Sequence, residues 1–547
     1  MSNRSSKFIP IIVSLCLILG IVIGSFYANH YTGNRLSIIN TSSNKINDLL
    51  HLIDDQYVDK VDLGELVEKA MPQILSELDP HSSYVSAKDV ENEMQDLKGS
   101  FSGIGIVFTI YKDTARIIRV VKGGPSEEVG LLAGDCIVKV DGRDFTGKIL
   151  TDDYAKKQLK GPKDTKVRVG IKRKGHDQLL SYTISRGDVP VKSINATYMI
   201  DDKTGYIQIS SFSDTTYPEL LAALAKLNHS GFKNLIIDLR GNRGGFMAPA
   251  IRMANEFLPS NRLIVYTQGR KSPRSEYNSD GKGIYQTIPL IVLVDETSAS
   301  SSEIFTAAIQ DNDRGTIIGR RTFGKGLVQE PIQFSDGSML RLTIARYYSA
   351  SGRCLQKPYE EGNGSEYQMD LLKRAQNGEY FSADSIHLNG KQFKTRLGRT
   401  VYEGGGVMPD IFVPEDTTGV TSYFIQAVNN GLVSQFAFIY VDSNRKILDR
   451  YETWTDVVKY LKRQGLPDKF AEFAAKNGLK RRNLMLRKSY EILQHMLISI
   501  ILEDYYGSDV RLMYINESDA NIKKALEIFK EGKSFPQPPL SEEDEQD

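Results

Sequence analysis

Residues 289–303 read PLIVLVDETSASSSE, and this stretch decides how the chain should fold. Its first half is an almost uninterrupted apolar run, as expected for a central buried strand of a parallel sheet. Its second half is a loop of small hydroxyl residues that opens a helix predicted over Ile304–Gln310. Strand, loop and helix in this order predict an α/β layer, in which the loops at the carboxyl ends of the strands form the site.

A second stretch of the same kind lies upstream. The apolar run Asn234–Asp238 leads into Asp238–Gly245 (DLRGNRGG), whose three glycines in five residues let the backbone come close to a ligand. The loop is not a P-loop, because no Gly-Lys-Ser/Thr follows at the required spacing. A tight strand-to-helix turn without a function is the alternative interpretation.

Ser300 is the candidate nucleophile of the first loop. A helix N-terminus presents unpaired N–H groups and the positive end of the helix dipole, which together favour a developing negative charge. Ser300–Glu303 also fits the S-x-x-E capping box, so spacing alone leaves a purely structural role open. No G-x-S-x-G elbow occurs, and no histidine lies between Ser298 and His387, so a Ser-His-Asp triad has little support.

Lysine is the other base that a serine hydroxyl can use. Lys325 lies between two glycines in Thr322–Gln329 (TFGKGLVQ), with apolar residues on both sides. Lowering a lysine pKa by three units from ~10.4 costs ~4 kcal/mol, which burial among apolar groups can supply. On a strand, Gln329 would share the face of Lys325 and could orient the amine without adding charge. A surface lysine in a glycine turn is the alternative.

Composition excludes several classes of function. Lys plus Arg number 69 and Asp plus Glu 68, so the net charge of +1 provides no basic field for nucleic acid. Seven scattered histidines and three cysteines (Cys16, Cys136, Cys354) form neither a zinc motif nor a disulfide framework. We therefore expect no metal, no cofactor and no nucleic-acid partner.

An apolar run from Phe8 extends to Ala28, and its ~21 residues would cover ~31 Å as a helix, enough for one bilayer crossing. Arg4 and Lys7 precede the run, which predicts an uncleaved anchor with its N-terminus inside. The rest of the chain would then lie in the periplasm or cell envelope, tethered to the cytoplasmic membrane. A cleaved signal peptide is the alternative.

Strand periodicity at Ile104, Ile106 and Phe108, with a hairpin signal at Asp141-Gly142, indicates a separate β-rich module before the α/β core. Five parts are expected along the 547 residues: a membrane anchor (1–30), an N-terminal helical region (31–97), the β-rich module (98–188), the α/β core (189–415) with a polar insertion at about 357–402, and a mostly helical extension with an acidic tail (416–547).

Several blocks together resemble the C-terminal processing (tail-specific) protease family, serine proteases with a Ser-Lys dyad and an embedded PDZ domain. The resemblance covers about residues 40–415 and rests on Leu78–Tyr84, Gly103–Ile106, Gly124–Asp135, Tyr206–Phe212, Asp238–Gly245, Ser298–Glu303, Thr322–Gln329 and Gly405–Asp410. It implies a mixed α/β protease core with an inserted β-rich PDZ domain at 98–188; the sequence patterns outside this range add an N-terminal transmembrane helix and a mostly helical C-terminal region.

The resemblance also implies residue roles. Ser300 aligns with the nucleophile, Lys325 with the general base and Gln329 with the residue that positions the lysine. The oxyanion hole maps to backbone N–H groups near Gly244 or Gly245 and at Ser301. The PDZ carboxylate-binding loop maps to Gly103, Ile104, Gly105 and Ile106. Ser301 stands where alanine is usual, and Ser298 and Ser302 offer competing hydroxyls.

The function expected from this resemblance is a serine endopeptidase that recognises the C-terminal tails of exported proteins and cleaves them through an acyl-enzyme. One alternative is a membrane-tethered PDZ protein that recruits tails without cleaving them. Another is an acyl-transfer enzyme with a small-molecule substrate, although a tail-binding module would then be idle. A homo-oligomer or an adaptor protein stays open as a further partner.

Overall fold

The computed structural model describes residues 43–387 and 390–538, together with residue 14 and residues 18–20. The chain forms two units, Met1–Leu75 and Ser76–Asp547. The predicted anchor over residues 8–28 lies almost wholly outside the described residues. Within the described part, no helix combines the length and the hydrophobicity of a membrane span. The described helices at the N-terminal end are α1 (Ser43–Gln56) and α2 (Leu63–Ser76), which ends at the boundary.

A β-rich module follows a short strand and a helix, as the sequence predicts. These are β1 (Ser83–Val85) and α3 (Val90–Lys98). The elements of the module are β2 (Ser100–Gly103), β3 (Ile106–Tyr111), β4 (Thr114–Val120), α4 (Pro125–Glu128), β5 (Cys136–Val140), β6 (Arg143–Asp144), α5 (Asp152–Leu159), β7 (Lys166–Lys172), β8 (Leu180–Ser185) and β9 (Gly187–Pro190).

Antiparallel pairing runs through the module. Its main sheet has the order β3-β4-β5-β7-β8, with β6 paired to β5, while β2 pairs with β9. Asp141 and Gly142 both have positive φ and join β5 to β6, which confirms the predicted hairpin turn. Ile117, Ile137 and Val169 are fully buried between the sheet and α5, so the module has its own hydrophobic core.

The α/β core is built on a six-stranded sheet of order β10-β11-β12-β15-β16-β21, parallel except for the β10–β11 pair. The elements from β10 to the third helix of the core are β10 (Ile194–Met199), β11 (Thr204–Ile209), α6 (Thr216–His229), β12 (Asn234–Asp238), α7 (Met247–Phe257), β13 (Leu263–Gln268), β14 (Ser275–Asn278), β15 (Leu290–Val294) and α8 (Ser301–Asp311). The remaining elements are β16 (Thr316–Gly319), β17 (Leu327–Gln333), β18 (Met339–Tyr348), α9 (Gly364–Gln376), β19 (Gln392–Lys394), β20 (Thr400–Tyr402) and β21 (Ile411–Phe412).

The two apolar runs of the sequence are the two central strands. In β12, Leu235 and Ile237 pack against α6, α7 and α8, while Ile236 between them packs on the opposite face. Because both faces are covered, β15 is buried along its whole length, which explains why its sequence does not alternate. The sheet thus brings the loop after β12 and the loop after β15 to the same edge.

A second, antiparallel sheet has the order β1-β18-β13-β14, with β17 paired to β18. The predicted insertion contains α9 and the small β19–β20 pair. The extension is helical as predicted, with α10 (Ser422–Asn429), α11 (Leu432–Leu448), α12 (Trp454–Lys462), α13 (Leu466–Lys476), α14 (Asn483–Lys488), α15 (Tyr490–Tyr506), α16 (Ser508–Asn516) and α17 (Ala520–Lys530). The last helix, α17, lays Ile522, Ala525 and Ile528 on the face of the central sheet that α6–α8 leave open.

Candidate active site

Ser300 lies in the turn between β15 and α8 with φ 56° and ψ −115°, a conformation that non-glycine residues rarely adopt. It borders a cavity of about 300 Å³. The competing serines are engaged elsewhere: fully buried Ser298 and Ser302 donate to the carbonyls of Leu239 (2.8 Å) and Asn242 (2.9 Å). A strained serine in a loop that follows a buried strand is typical of an exposed nucleophile.

Lys325 borders the same cavity as Ser300. Burial lowers the pKa of its amine to about 8, and the nearby Arg341 guanidinium acts in the same direction. Glu303 and Asp79 oppose this shift. At pH 7 about one molecule in ten therefore carries an uncharged amine, whereas an ordinary lysine would be almost wholly protonated.

Glu303 joins the turn of the serine to the loop of the lysine. Its Oε2 accepts the backbone N–H groups of Ser300 (2.9 Å) and Lys325 (2.8 Å), and its Oε1 accepts the N–H of Gly324 (2.7 Å) and the hydroxyl of Thr322 (2.5 Å). Burial raises the pKa of this carboxyl, and the four hydrogen bonds oppose the increase. The predicted capping box thus has a second role: its glutamate fixes two loops that lie 25 residues apart in sequence.

Gln329 borders the same cavity as Lys325. The strand begins only at Leu327, and the pairing register shifts between Val328 and Gln329. Lys325 thus precedes the strand, and the shared face of Lys325 and Gln329 stays a prediction. The extra residue at the register shift is Ile344 on β18, which brings Thr343 opposite Gln329.

The loop after β12 lies directly against the serine turn. Asn242 is fully buried; its carbonyl accepts the N–H of Ala299 (3.0 Å), and its side-chain oxygen accepts the N–H of Gly244 (2.8 Å). Ser301 donates its hydroxyl to the carbonyl of Gly245 (2.9 Å). The serine at position 301, unusual for the family, thus ties the two loops together.

The predicted oxyanion donors differ in their availability. The N–H of Gly244 is occupied by Asn242, whereas no hydrogen bond of the described residues uses the N–H of Gly245 or of Ser301. Gly245 and Ser301 border the cavity. A β-carbon on Gly245 would lie 2.1 Å from the carbonyl oxygen of Phe212, so this position requires glycine. Gly245 rather than Gly244 therefore suits an oxyanion.

Tyr347 was not anticipated from the sequence. Its phenol is buried at the cavity wall, and its oxygen has no hydrogen-bond partner among the described residues. Burial raises the pKa of Tyr347 well above its usual value, and its proximity to Ser300 only partly opposes this. No local sequence pattern marked this residue, because it reaches the site from β18.

Arg240 extends the loop after β12 to the C-terminal end of the chain. It pairs with Asp238 (2.7 Å), which also accepts the Tyr206 hydroxyl (2.8 Å), and with Asp519 (2.7 Å) at the start of α17. All three charged groups are at least four-fifths buried. The extension thus contacts the loop after β12 through Asp519.

The loop predicted to bind carboxylate lies between β2 and β3. Ile104 and Gly105 donate no backbone N–H to another group in the described ranges, while their carbonyls accept the N–H groups of Ser126 (2.9 Å) and Val121 (3.0 Å). Ile104 is only 2% exposed and belongs to the core of the module, so of the two isoleucines Ile106, half-buried, is the one able to line a pocket.

Models of known protein families match three segments of the chain. A model of peptidase family S41 matches residues 203–362, a PDZ-domain model matches 102–184, and a family of unknown function matches 423–507. A carboxy-terminal-processing protease of Bartonella bacilliformis is 35% identical over 377 residues, which span 68% of this chain and 84% of that protein. Carboxy-terminal processing protease CtpA of Bacillus subtilis is 32% identical over 347 residues, 63% of this chain and 72% of that protein.

A solved photosystem II D1 C-terminal processing protease covers 67% of this chain and 92% of its own, at 23% identity and a TM-score of 0.35. A likeness at that level adds nothing to the assignment. The matches and the fold define a serine-type peptidase with a PDZ domain. The chain belongs to peptidase family S41, with the carboxy-terminal processing proteases among its relatives.

Proposed function

We propose that Ser300 is the nucleophile and Lys325 the general base of this peptidase, which cleaves polypeptides near their C-terminal tails. The observation that carries the proposal is that both residues border one cavity while a single buried carboxylate, Glu303, holds the backbones of both. Uncharged Lys325 accepts the Ser300 proton as the hydroxyl attacks a peptide carbonyl. Protonated Lys325 then donates to the leaving amine, and an acyl-enzyme forms. Water, deprotonated by Lys325, releases the product.

The N–H groups of Gly245 and Ser301 stabilise the oxyanion of the tetrahedral intermediate. Each such donor contributes ~3 to 4 kcal/mol in comparable sites. Gln329 orients the lysine amine, and Gly244 holds the loop in place through Asn242. No cofactor takes part in these steps.

The PDZ domain binds the substrate's C-terminal carboxylate through the N–H groups of the loop Gly103–Ile106, while the tail adds a strand to the sheet edge. Two backbone donors in this loop, at Ile104 and Gly105, make no other hydrogen bond in the part of the chain that the structure describes. Ile106 favours an apolar last side chain. Selection of the tail at one domain and cleavage at another explains why the two modules share one chain.

The apolar run at residues 8–28 anchors the protein in the cytoplasmic membrane as a single pass, with the catalytic part in the periplasm or cell envelope. The support is the length of the run and the position of Arg4 and Lys7 before it. Digestion of the catalytic part by protease added to spheroplasts tests this topology, and protection there until the cells are lysed would contradict it.

Mass spectrometry of a tail-bearing protein incubated with each variant tests the chemistry. Ser300→Ala and Lys325→Ala should abolish cleavage while tail binding stays at wild-type strength. Ser275→Ala and Lys271→Ala are matched controls at exposed positions and should cleave normally. Cleavage by either Ser300→Ala or Lys325→Ala would refute the assigned roles. Loss of tail binding in a Gly105→Val variant with intact cleavage of an untailed peptide would support the division of labour.

A further inference from the structure

The two ends of the Gln329 side-chain amide are not interchangeable at this site. An amine that is to take a proton from Ser300 must keep its lone pair directed at the hydroxyl, so its N–H groups need an acceptor elsewhere. The carbonyl oxygen of the Gln329 amide can accept them, whereas its NH₂ group cannot. The end of the amide that faces the cavity therefore determines whether Gln329 helps or hinders Lys325.

Thr343 determines which end that is. It lies opposite Gln329 on β18, and Gln329 Nε2 donates to Thr343 Oγ1 at 3.2 Å. A hydroxyl has one proton, and Thr343 donates it to Asp79 Oδ1 at 3.0 Å. Toward Gln329 the hydroxyl thus offers only lone pairs, so it must meet the NH₂ group. The carbonyl oxygen of the amide is left for the other side, where the cavity lies.

Asp79 is held as an acceptor. Its carboxylate takes hydrogen bonds from the backbone N–H groups of His81 (2.9 Å) and Ser82 (3.0 Å), from the Ser82 hydroxyl (2.5 Å) and from Thr343. The Ser82 hydroxyl accepts the backbone N–H of Thr343 (3.0 Å), which leaves its own proton for Asp79. The carboxylate is 7% exposed, so solvent competes little for it. Asp79 thus fixes which group donates and which accepts, first at Thr343 and then at Gln329.

We propose that Asp79, acting through Thr343, is a positioning residue that orients the Gln329 amide toward Lys325. The inference rests on the proposed function, because it takes Lys325 as the base. It gives a chemical role to the block Leu78–Tyr84, which precedes the PDZ domain in sequence yet reaches the protease sheet where β1 pairs with β18 at Ser83 and Arg341.

Thr343→Val tests the chain of hydrogen bonds, and Thr343→Ser is its matched control because it keeps the hydroxyl. We expect Thr343→Val to lower kcat on a tail peptide by about 10- to 100-fold, a part of what a general base contributes, with KM within about twofold. Thr343→Ser should stay within about threefold of wild type, since the orienting hydroxyl remains.

The pH profile separates orientation from packing. Once the amide is free to turn, its NH₂ group can donate to the lone pair of Lys325 and so stabilise the uncharged amine. The acidic limb of kcat should then move to lower pH in Thr343→Val although the plateau falls. Loss of packing alone would lower the plateau and leave the limb in place.

Three results would overturn the inference: wild-type kcat in Thr343→Val, a Thr343→Ser variant as slow as Thr343→Val, or an unmoved limb. If Thr343→Val does not fold, as judged by melting temperature and tail binding, Thr343→Ala replaces it, because it also lacks the hydroxyl and leaves the charge of Asp79 in place. The same loss and the same limb shift are expected. Ser300→Ala and Lys325→Ala are measured alongside: cleavage by either refutes the proposed function itself, whereas their inactivity beside a normal Thr343→Val refutes the positioning role alone.

Discussion

Lys325→Met should make the folded protein more stable while it abolishes cleavage. The amine of Lys325 has a pKa of about 8 in the folded chain against 10.5 for an ordinary lysine. At pH 7 the folded chain must therefore either bury the charged ammonium of Lys325 or release its proton, whereas the unfolded chain keeps the ammonium in water. A shift of 2.5 units corresponds to about 3 kcal/mol, and partial solvent access reduces this to about 2 to 3 kcal/mol. Methionine has a similar length and no charge, so it removes this cost.

The pH dependence of the effect has a definite sign. Between pH 8 and 10.5 the unfolded lysine is protonated and the native one is not, so the stability of the wild type rises with pH over that range. The advantage of Lys325→Met should be full below pH 8 and fall to about 1 kcal/mol or less at pH 10.

Calorimetry at pH 7 and at pH 10 measures this advantage. For a domain of this size, about 2 to 3 kcal/mol raises the melting temperature of the protease core by roughly 5 to 10 °C. Lys271→Met, at an exposed position, is the control and should change it little. A Lys325→Met variant that melts at or below the wild-type temperature at pH 7, or gains equally at both pH values, would refute the view that burial lowers the pKa of this lysine.

Three further outcomes are expected. The kcat/KM of the wild type should rise about tenfold from pH 6 to pH 7 and level off above about pH 9, as the uncharged fraction of Lys325 grows; a flat profile would contradict the lysine base. Glu303→Gln should lower cleavage about 10- to 100-fold, because an NH₂ group would then face backbone N–H donors, whereas the exposed control Glu366→Gln should cleave normally. Gly245→Ala should abolish cleavage and leave tail binding intact, since its β-carbon would displace the loop from Phe212; full activity would show that the loop is not needed in this position.

The elements that local patterns specify were predictable. Two apolar runs predicted the central strands β12 and β15, because strands buried on both faces need apolar residues throughout. The loops that follow these two strands predicted where the site lies. Lys325 stood out as the alternative to a histidine base, and the family resemblance singled out Ser300. These inferences depend on residues close to each other in sequence, where the chemistry of each residue restricts the structure directly.

What the sequence could not predict depends on contacts between distant segments. The contact of Gln329 with Thr343 depends on a register shift at Ile344 of β18, which no pattern along β17 can reveal. The choice between Gly244 and Gly245 depends on where the Asn242 side chain points. The contact of Asp519 with Arg240 spans 279 residues and leaves no periodic signal. Such contacts are fixed by the packed fold and not by any local propensity.

The position of α17 has a consequence for biosynthesis. This helix lies beyond the segments matched by known families, yet it packs with α16 on one face of the central sheet and supplies a counter-ion to the loop beside Ser300. Synthesis proceeds from the N-terminus, so the central sheet and both site loops leave the ribosome before this helix can dock. A nascent chain that has not yet reached this helix therefore lacks the Asp519 partner of Arg240 in the loop beside Ser300.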